Sequence, residues 1–378
     1  MEILNVIVKP LNYCNQNCIY CFDKKQHTNA KLINQNDLLA FAEKVFNEFN
    51  KTNWIWHGGE PTLINLEWFE DTMYKLNLLR EKSRNQVVYS IQTNGLQLND
   101  DWWQILNRYN IIPSISYDII KDDRINIINN KENIAKCPST ITVLTKNNID
   151  KIWEIYEENK KGNKTFSLNF PFATDRMSLT DILGDEDKAI ENYMSFLQQY
   201  IYDQDGIEER TATSWILTAL GKPPSMCQHI FCREADIISI DSQGQIWKCD
   251  NHNFDELKLC HINDYVNFNV LNEQIKKLNI YQIECADCEF NLVCGKGCLH
   301  CRLKESQGKL PYSLHCKMVK RIVPFLHSKL YNLTPEEFVQ LNPAVRAALM
   351  SNFYLPWYIQ EKLWTRYLSI SKTDTEQR

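Results

Sequence analysis

At 378 residues, with 44% hydrophobic and 24% charged side chains, the chain is long enough for two to three domains that bury real cores. Its 42 Lys and Arg against 47 Asp and Glu leave a net charge of −5, which gives no basic footprint for nucleic acid and no polybasic patch for a membrane. No apolar run approaches the ~20 residues needed to cross a bilayer, and the opening Met1–Pro10 lacks the basic start and cleavage site of a signal peptide, so a cytoplasmic protein is expected.

Over the first two hundred residues, short apolar runs alternate with amphipathic stretches. Strands are predicted at Ile3–Val8, Asn53–Trp56, Val87–Gln92, Ile111–Ser116, Thr140–Leu144 and Thr165–Phe170. Helices are predicted at Asn36–Asn50, Leu66–Lys82, Asp100–Tyr109 and Asp150–Asn159, with Asn36, Asn65, Asn99 and Asp150 in N-cap positions. Regular β-then-α alternation implies a parallel sheet with right-handed crossovers. Six such units predict an α/β fold built on a partial (β/α)6 barrel, resembling an incomplete TIM barrel.

After a helix at 185–202, Asp203-Gln204-Asp205-Gly206 and Gly221-Lys222-Pro223-Pro224 break the pattern. Ile237–Ile240 and Gln245–Lys248, joined by Ser242-Gln243-Gly244, read as a hairpin. Residues 285–316 have few periodic hydrophobics and are expected to be loop-rich, and from about Val323 the chain becomes helical again. The expected division is a barrel over 1–205, a cysteine-rich domain over 206–325 and a C-terminal helical segment over 326–378.

The 14 cysteines are the main chemical clue. Disulfide frameworks belong to small secreted domains, so in a reducing compartment ordered cysteine spacings read as metal or iron–sulfur ligands. Cys14, Cys18 and Cys21, spaced x3 and x2, follow the first strand at its C-terminal end, the edge where barrel-like folds assemble active sites. Three thiolates can wrap one cubane cluster and leave one iron open to a ligand. A structural zinc site wants four closed ligands, and His27 lies six residues past Cys21.

With Tyr20 before the third cysteine, this motif resembles that of the radical S-adenosylmethionine (radical SAM) enzymes. Trp54-Ile55-Trp56-His57-Gly58-Gly59-Glu60-Pro61 is similar to the Gly-Gly-Glu-Pro motif of that family. Two glycines let the backbone approach a ligand closely, and their carbonyls can accept from the methionyl ammonium. The resemblance implies a cofactor site formed by Tyr20, Gly58, Gly59, Glu60 and Pro61. Gln92 and Asn94 end the third strand there and Ser116 ends the fourth. Arg124 takes the place of the arginine that meets the SAM carboxylate. Relatives usually read Ser-Leu-Asp-Gly where this chain has Ser116-Tyr117-Asp118-Ile119.

The later cysteines resemble the SPASM extension of radical SAM enzymes. Cys232 is followed by Gly244 and Cys249, then by Cys285-x2-Cys288-x5-Cys294-x3-Cys298 and Cys316, with Cys227 as the eighth. The resemblance implies one auxiliary cluster on Cys227, Cys232, Cys249 and Cys298 and another on Cys285, Cys288, Cys294 and Cys316. With the first motif, that makes three 4Fe-4S clusters. A zinc-stabilised binding scaffold is the non-enzymatic alternative, since soft thiolate sets accept either metal. Cys137 and Cys260 read as packing residues, and Cys301 is left over.

The resemblance covers roughly residues 3 to 320. It implies reductive cleavage of SAM to methionine and a 5′-deoxyadenosyl radical, fed by a flavodoxin or ferredoxin, with hydrogen abstraction from a substrate carbon. Auxiliary clusters suit removal of the second electron. Asp250 resembles the base of anaerobic sulfatase-maturing relatives, and Asp118 is the second candidate. Asp23 stands where those relatives have a tyrosine, and His57 is expected to pack or hydrogen-bond. The expected reaction is oxidative crosslinking of a ribosomally made precursor peptide, with a carbon–carbon cyclophane favoured over a thioether. Formylglycine formation by a sulfatase-maturing enzyme is the alternative. Because the chain begins almost on its first strand, the leader of such a peptide is expected to dock on the barrel, the extension or the C-terminal helices. There Phe353–Tyr358 and Trp364 line a groove or pack as core.

Overall fold

The computed structural model describes residues 3–18, 20–23, 30–83, 85–117, 131–174, 177–222, 237–250, 255–277, 288–294, 298, 314–331 and 333–350. In chain order its elements begin with β1 (Ile3–Val8), α1 (Gln35–Glu48), β2 (Lys51–Trp56), α2 (Leu66–Ser83), β3 (Gln86–Thr93) and α3 (Asp100–Arg108). Next come β4 (Ile112–Ser116), α4 (Lys131–Lys136), β5 (Ser139–Val143), α5 (Ile152–Lys161), β6 (Thr165–Asn169), α6 (Leu179–Leu183), α7 (Glu186–Ile201) and α8 (Arg210–Ala219). They are followed by β7 (Ile237–Ile240), β8 (Gln245–Trp247), β9 (Lys258–His261) and α9 (Phe268–Lys276). The last described helices are α10 (Asn291–Cys294), α11 (Leu314–Leu330), α12 (Pro335–Val339) and α13 (Pro343–Met350). Two compact units divide the chain, one of residues 1–141 and 236–279, the other of 142–235 and 280–378.

In the first unit the strands lie in the order β5-β4-β3-β2-β1-β7-β8-β9, parallel through β7 and antiparallel beyond it. Alternation along each strand gives the sheet two chemically different faces. Val6, Trp54, Trp56, Tyr89 and Ile115 are buried with Phe41 and Val45 of α1, Phe69 of α2 and Ile105 of α3, each such side chain contributing about 2 kcal/mol. The opposite face is less buried and mixes polar side chains with Ile7 and Ile55. Asn53 Nδ2 donates to Asn5 Oδ1 at 2.8 Å, and Gln92 Nε2 donates to Ser116 Oγ at 3.0 Å.

All six predicted strands form, with α1, α2, α3 and α5 between them. Two cap assignments need correction. Asn34, not Asn36, caps α1, its side chain accepting from Asp37 N, because the buried face from Leu38 to Phe46 carries the helix back to Gln35. Lys151, not Asp150, stands at the N-cap of α5 and makes no side-chain cap bond. There Asn148 ties the preceding turn to Thr145 N and Val143 O, delaying the helix start by one residue.

The β7–β8 hairpin forms as expected, its turn set by Gly244 at φ +78° and by Asp241 Oδ1, which accepts from Gln243 N and Gln245 N. Its attachment parallel to β1, Asn5 opposite Ile237, is not visible in the local pattern. Lys9 N then donates to Ile240 O at 2.8 Å, extending the pairing just past the strand.

In the second unit, β6 follows the end of β5, with Leu144 N donating to Asn169 O at 2.8 Å. The helix α8 was not expected between the two chain breakers. Arg210-Thr211-Ala212-Thr213-Ser214 has weak intrinsic helix propensity, and burial of Ala212, Trp215 and Ile216 overrides it. Its N-cap Glu209 accepts from Thr211 N and Ala212 N and also from Leu168 N of β6. The aromatic run 353–358 and Trp364 lie outside the described residues. No described helix is long and apolar enough to cross a membrane.

Candidate cofactor and active site

Directly beyond β1, the chain turns into the Cys14–Cys21 loop. Cys14 Sγ accepts from Gln16 N at 3.3 Å and Cys18 Sγ reaches Gln16 Oε1 at 3.5 Å. Cys21 N donates to Cys18 O at 3.1 Å. Burial pushes the Cys14 thiol up to about 11, with Glu60 and Cys21 nearby adding to the shift and the Gln16 N–H offsetting part of it. Tyr20 is buried. Asn94, at the end of β3, donates from Nδ2 to Asn15 Oδ1 at 2.8 Å and points at Cys14 Sγ from 3.9 Å.

Past β2 comes the Gly58-Gly59-Glu60-Pro61 turn. Both glycines have positive φ, +70° and +52°. A Cβ on Gly59 would fall 2.4 Å from Tyr13 O and 2.6 Å from Leu11 O, backbone atoms that cannot swing away. Glu60 N donates to Tyr13 O at 2.8 Å, which presses the turn onto the cysteine loop. The Glu60 carboxylate faces inward, 2 % exposed. It accepts from Thr62 N and Oγ1 at 3.0 and 2.6 Å, from Thr93 Oγ1 at 2.6 Å and from Asn94 N at 2.7 Å. Burial raises its pKa above the usual carboxylate range, and these donors pull it back. Pro61 opens a 3-10 turn, Pro61–Leu63, where its missing N–H costs nothing.

A charged cluster sits on the same loop. Lys9 Nζ lies 3.0 Å from Asp250 Oδ1 and 3.4 Å from Asp23 Oδ2. Asp23 Oδ2 also accepts from Gly59 N at 3.0 Å. His57 Nδ1 is 4.0 Å from Asp250 Oδ2, and its ring stacks on Phe22. Burial alone would lower the Lys9 pKa, but the two carboxylates outweigh it and hold the ammonium above the ordinary lysine range. His57 packs on Phe22, as expected. Lys9 itself was missed, because a lysine closing a strand reads as a solvent-facing end; its place directly before Pro10 and the cysteine motif was the available signal.

The structure therefore brings Cys14, Cys18, Cys21, Gly58, Gly59, Glu60, Asn94 and Asp250 to one edge of the first unit. Gln92 and Ser116 lie together on the less buried face of its sheet. Ser239 Oγ donates to Cys249 O at 2.6 Å, fixing the backbone just before Asp250. In the second unit, Cys294 ends α10 and Cys316 lies in the first turn of α11, where the helix dipole favours a negative ligand; Cys288 and Cys298 are half-buried. Cys137 is buried, its thiol against Pro113 O and Ser139 O, and Cys260 packs on the core. Arg124, Asp118, Cys227, Cys232, Cys285 and Cys301 lie outside the described residues.

Three thiols in one eight-residue loop, with N–H groups of Gln16 and Asn94 directed at Cys14 Sγ, fit an iron–sulfur cluster held by thiolates. Among the described residues no three His, Cys, Asp or Glu side chains are grouped around a single ion position; a cubane spreads its thiolates over separate irons.

Residues 8–158 match the Radical SAM superfamily. The chain is similar to a cysteine-type anaerobic sulfatase-maturating enzyme of Clostridium novyi, 26% identical over 339 residues, 79% of this chain and 88% of that one. The structure of native anSMEcpe with bound AdoMet and Cp18Cys peptide matches with TM-score 0.71 at 22% identity, covering 88% of this chain and 98% of that one. That of Streptococcus suis SuiB bound to precursor peptide SuiA matches with TM-score 0.56 at 16% identity, covering 83% and 76%. At these identities the structural matches establish a shared fold.

Proposed function

The chain carries a radical SAM domain and is a radical SAM enzyme, and from that premise we propose that it is an oxidative peptide maturase. The observation that carries this reading is the position of Asp250. Through Lys9 it is joined to Asp23 of the cysteine loop and to the Gly58-Gly59 turn, which supports reading this carboxylate as the proton acceptor beside the cofactor edge.

In this reading Cys14, Cys18 and Cys21 hold the first 4Fe-4S cluster. Tyr20, Gly58, Gly59, Pro61, Gln92, Asn94, Ser116 and Arg124 form the SAM site, and Glu60 braces it from behind. Bound there, cluster and SAM would supply the hydrogen-abstracting chemistry. The chain's own residues orient the peptide carbon, exclude water and receive the proton at Asp250. Cys227, Cys232, Cys249 and Cys298 would hold one auxiliary cluster and Cys285, Cys288, Cys294 and Cys316 the other, and these clusters would supply a sink for the electron of a net oxidation. A flavodoxin or ferredoxin would be the electron donor. The reducing cytoplasm suits eleven ligating thiolates. The functional division is a barrel over 1–205, a cluster-bearing extension over 206–325 and a helical end over 326–378.

Net oxidation removes two hydrogens from the peptide, one as an atom and one as proton plus electron, and a carbon–carbon crosslink between an aromatic ring and a neighbouring side chain closes that balance. Asp23 favours it over formylglycine, since its carboxylate is engaged by Lys9 and Gly59 where sulfatase-maturing relatives resemble one another in having a tyrosine. Similarity to the Clostridium novyi enzyme over 79% of the chain favours the second reading, formylglycine. Mass spectrometry decides, with the peptide encoded beside the gene and the Cp18Cys peptide as probes. A peptide lighter by two hydrogens and inert to carbonyl reagents supports the crosslink. A carbonyl-reactive product from the Cp18Cys peptide replaces it with formylglycine, and unchanged peptides overturn both.

A further inference from the structure

Lys9 joins three segments of the site at once. It follows β1 directly and is 3 % exposed. Its ammonium pairs with Asp250 and Asp23, donates to the Asp250 carbonyl and sits 5.1 Å over the Phe22 ring. Its stem fills the space above Gly58, where a Cβ would fall 2.2 Å from Lys9 Cγ. An ammonium this deeply buried is costly unless paired, so it draws both carboxylates to itself. The stem packed on Gly58 restricts where the ammonium can go, and that restriction passes to its partners.

We propose that Lys9 is a positioning residue for the reaction. It holds Asp250 at both carboxylate and carbonyl, and through Asp23 it ties that hold to the cysteine loop and the Gly58-Gly59 turn. The proposal rests on the reading of Asp250 as proton acceptor. An acceptor displaced by ~1 Å costs on the order of a hundredfold in rate, so a single buried cation shared by both segments keeps proton removal in register with the cofactor edge. A Lys9 that served stability alone would lower every property of the enzyme together.

The test compares the reconstituted wild type with Lys9→Met, which keeps the apolar stem and removes the charge, and with Lys75→Met, which breaks an exposed ion pair on α2 as a control. In Lys9→Met, hydrogen exchange of the amides at 247–250 is expected to rise about tenfold while those of β3 keep their protection. With the peptide encoded beside the gene, modified peptide formed per 5′-deoxyadenosine released is expected to fall about tenfold. Lys75→Met keeps the wild-type values of both. Unchanged exchange at 247–250, or a loss of product that leaves the ratio unchanged, overturns the proposal.

If Lys9→Met fails to load iron, Lys9→Arg decides, because it keeps the cation. The expected ratio lies within about threefold of wild type, and an iron-loaded Lys9→Arg that loses it about tenfold with protection at 247–250 intact overturns the proposal. Asp250→Asn separates the two readings. If it forms product at the wild-type ratio, the proton-acceptor role fails, and the exchange result alone then decides whether Lys9 holds the segment.

Discussion

The buried Glu60 carboxylate accepts the backbone N–H of Asn94 at 2.7 Å, which fastens the turn after β2 to the end of β3. Asn94 in turn reaches Asn15 and Cys14, so one carboxylate behind the site sets the spacing of the motifs in front of it. Replacing Glu60 by Gln puts an amide donor against Thr62, Thr93 and Asn94, all of which donate to it. The expected loss of stability is about 1–3 kcal/mol, with weaker SAM binding, checked by chemical denaturation and by equilibrium binding to the reconstituted chain. Unaltered values in both would show that the latch is dispensable.

Gly59 is held at φ +52° with the carbonyls of Tyr13 and Leu11 where a Cβ would have to go. Gly59→Ala should force the turn off the cysteine loop. Iron retained per chain and SAM affinity are both expected to drop, the affinity by about tenfold or more, and an iron assay with equilibrium binding checks this.

Glu209, buried in the second unit, offers a pH test. Burial pushes its carboxyl up to about 7, although the N–H groups of Leu168, Thr211 and Ala212 and the Tyr193 hydroxyl pull it back. Unfolded, the carboxyl titrates near ~4.3. Between these values the unfolded chain gives up the proton and the folded chain keeps it, so stability falls as pH rises through the window and levels off above the folded value. Subtracting the unfolding free energy of Glu209→Gln at each pH isolates this group. The wild-type advantage should shrink between pH about 4.5 and about 7.5, and a difference that grows with pH contradicts the assignment.

The parallel strands were legible because short apolar runs such as Ile3–Val8 and Asn53–Trp56 bury every second side chain and alternate with amphipathic helical stretches. The helix α8 was not, since its Thr and Ser residues favour it weakly and burial around Trp215 with the Glu209 cap makes it fold. The pairing of β7 with β1 joins segments far apart in the chain, which no local pattern encodes. At the site, Cys14, Cys18, Cys21 and Gly58-Gly59-Glu60-Pro61 were legible through spacing and chemistry. The inward role of Glu60 and the Lys9 cluster were not, because both depend on which side chains the fold buries together.

Iron content tests the ligand assignment. Anaerobic reconstitution should give about twelve irons per chain, and replacing Cys14, Cys18 and Cys21 together by Ala should leave about eight and abolish SAM cleavage. Zinc in place of iron after anaerobic purification would turn the cysteines into a structural scaffold.

The most direct test of the maturase reading follows the abstracted hydrogen. The peptide encoded beside the gene is made with deuterium on its side-chain carbons and incubated with the reconstituted enzyme, SAM and reductant. The account predicts deuterium in the released 5′-deoxyadenosine together with a peptide that has lost the transferred deuterium and one further hydrogen or deuterium. Unlabelled 5′-deoxyadenosine, formed equally fast without the peptide and leaving its mass unchanged, would contradict it.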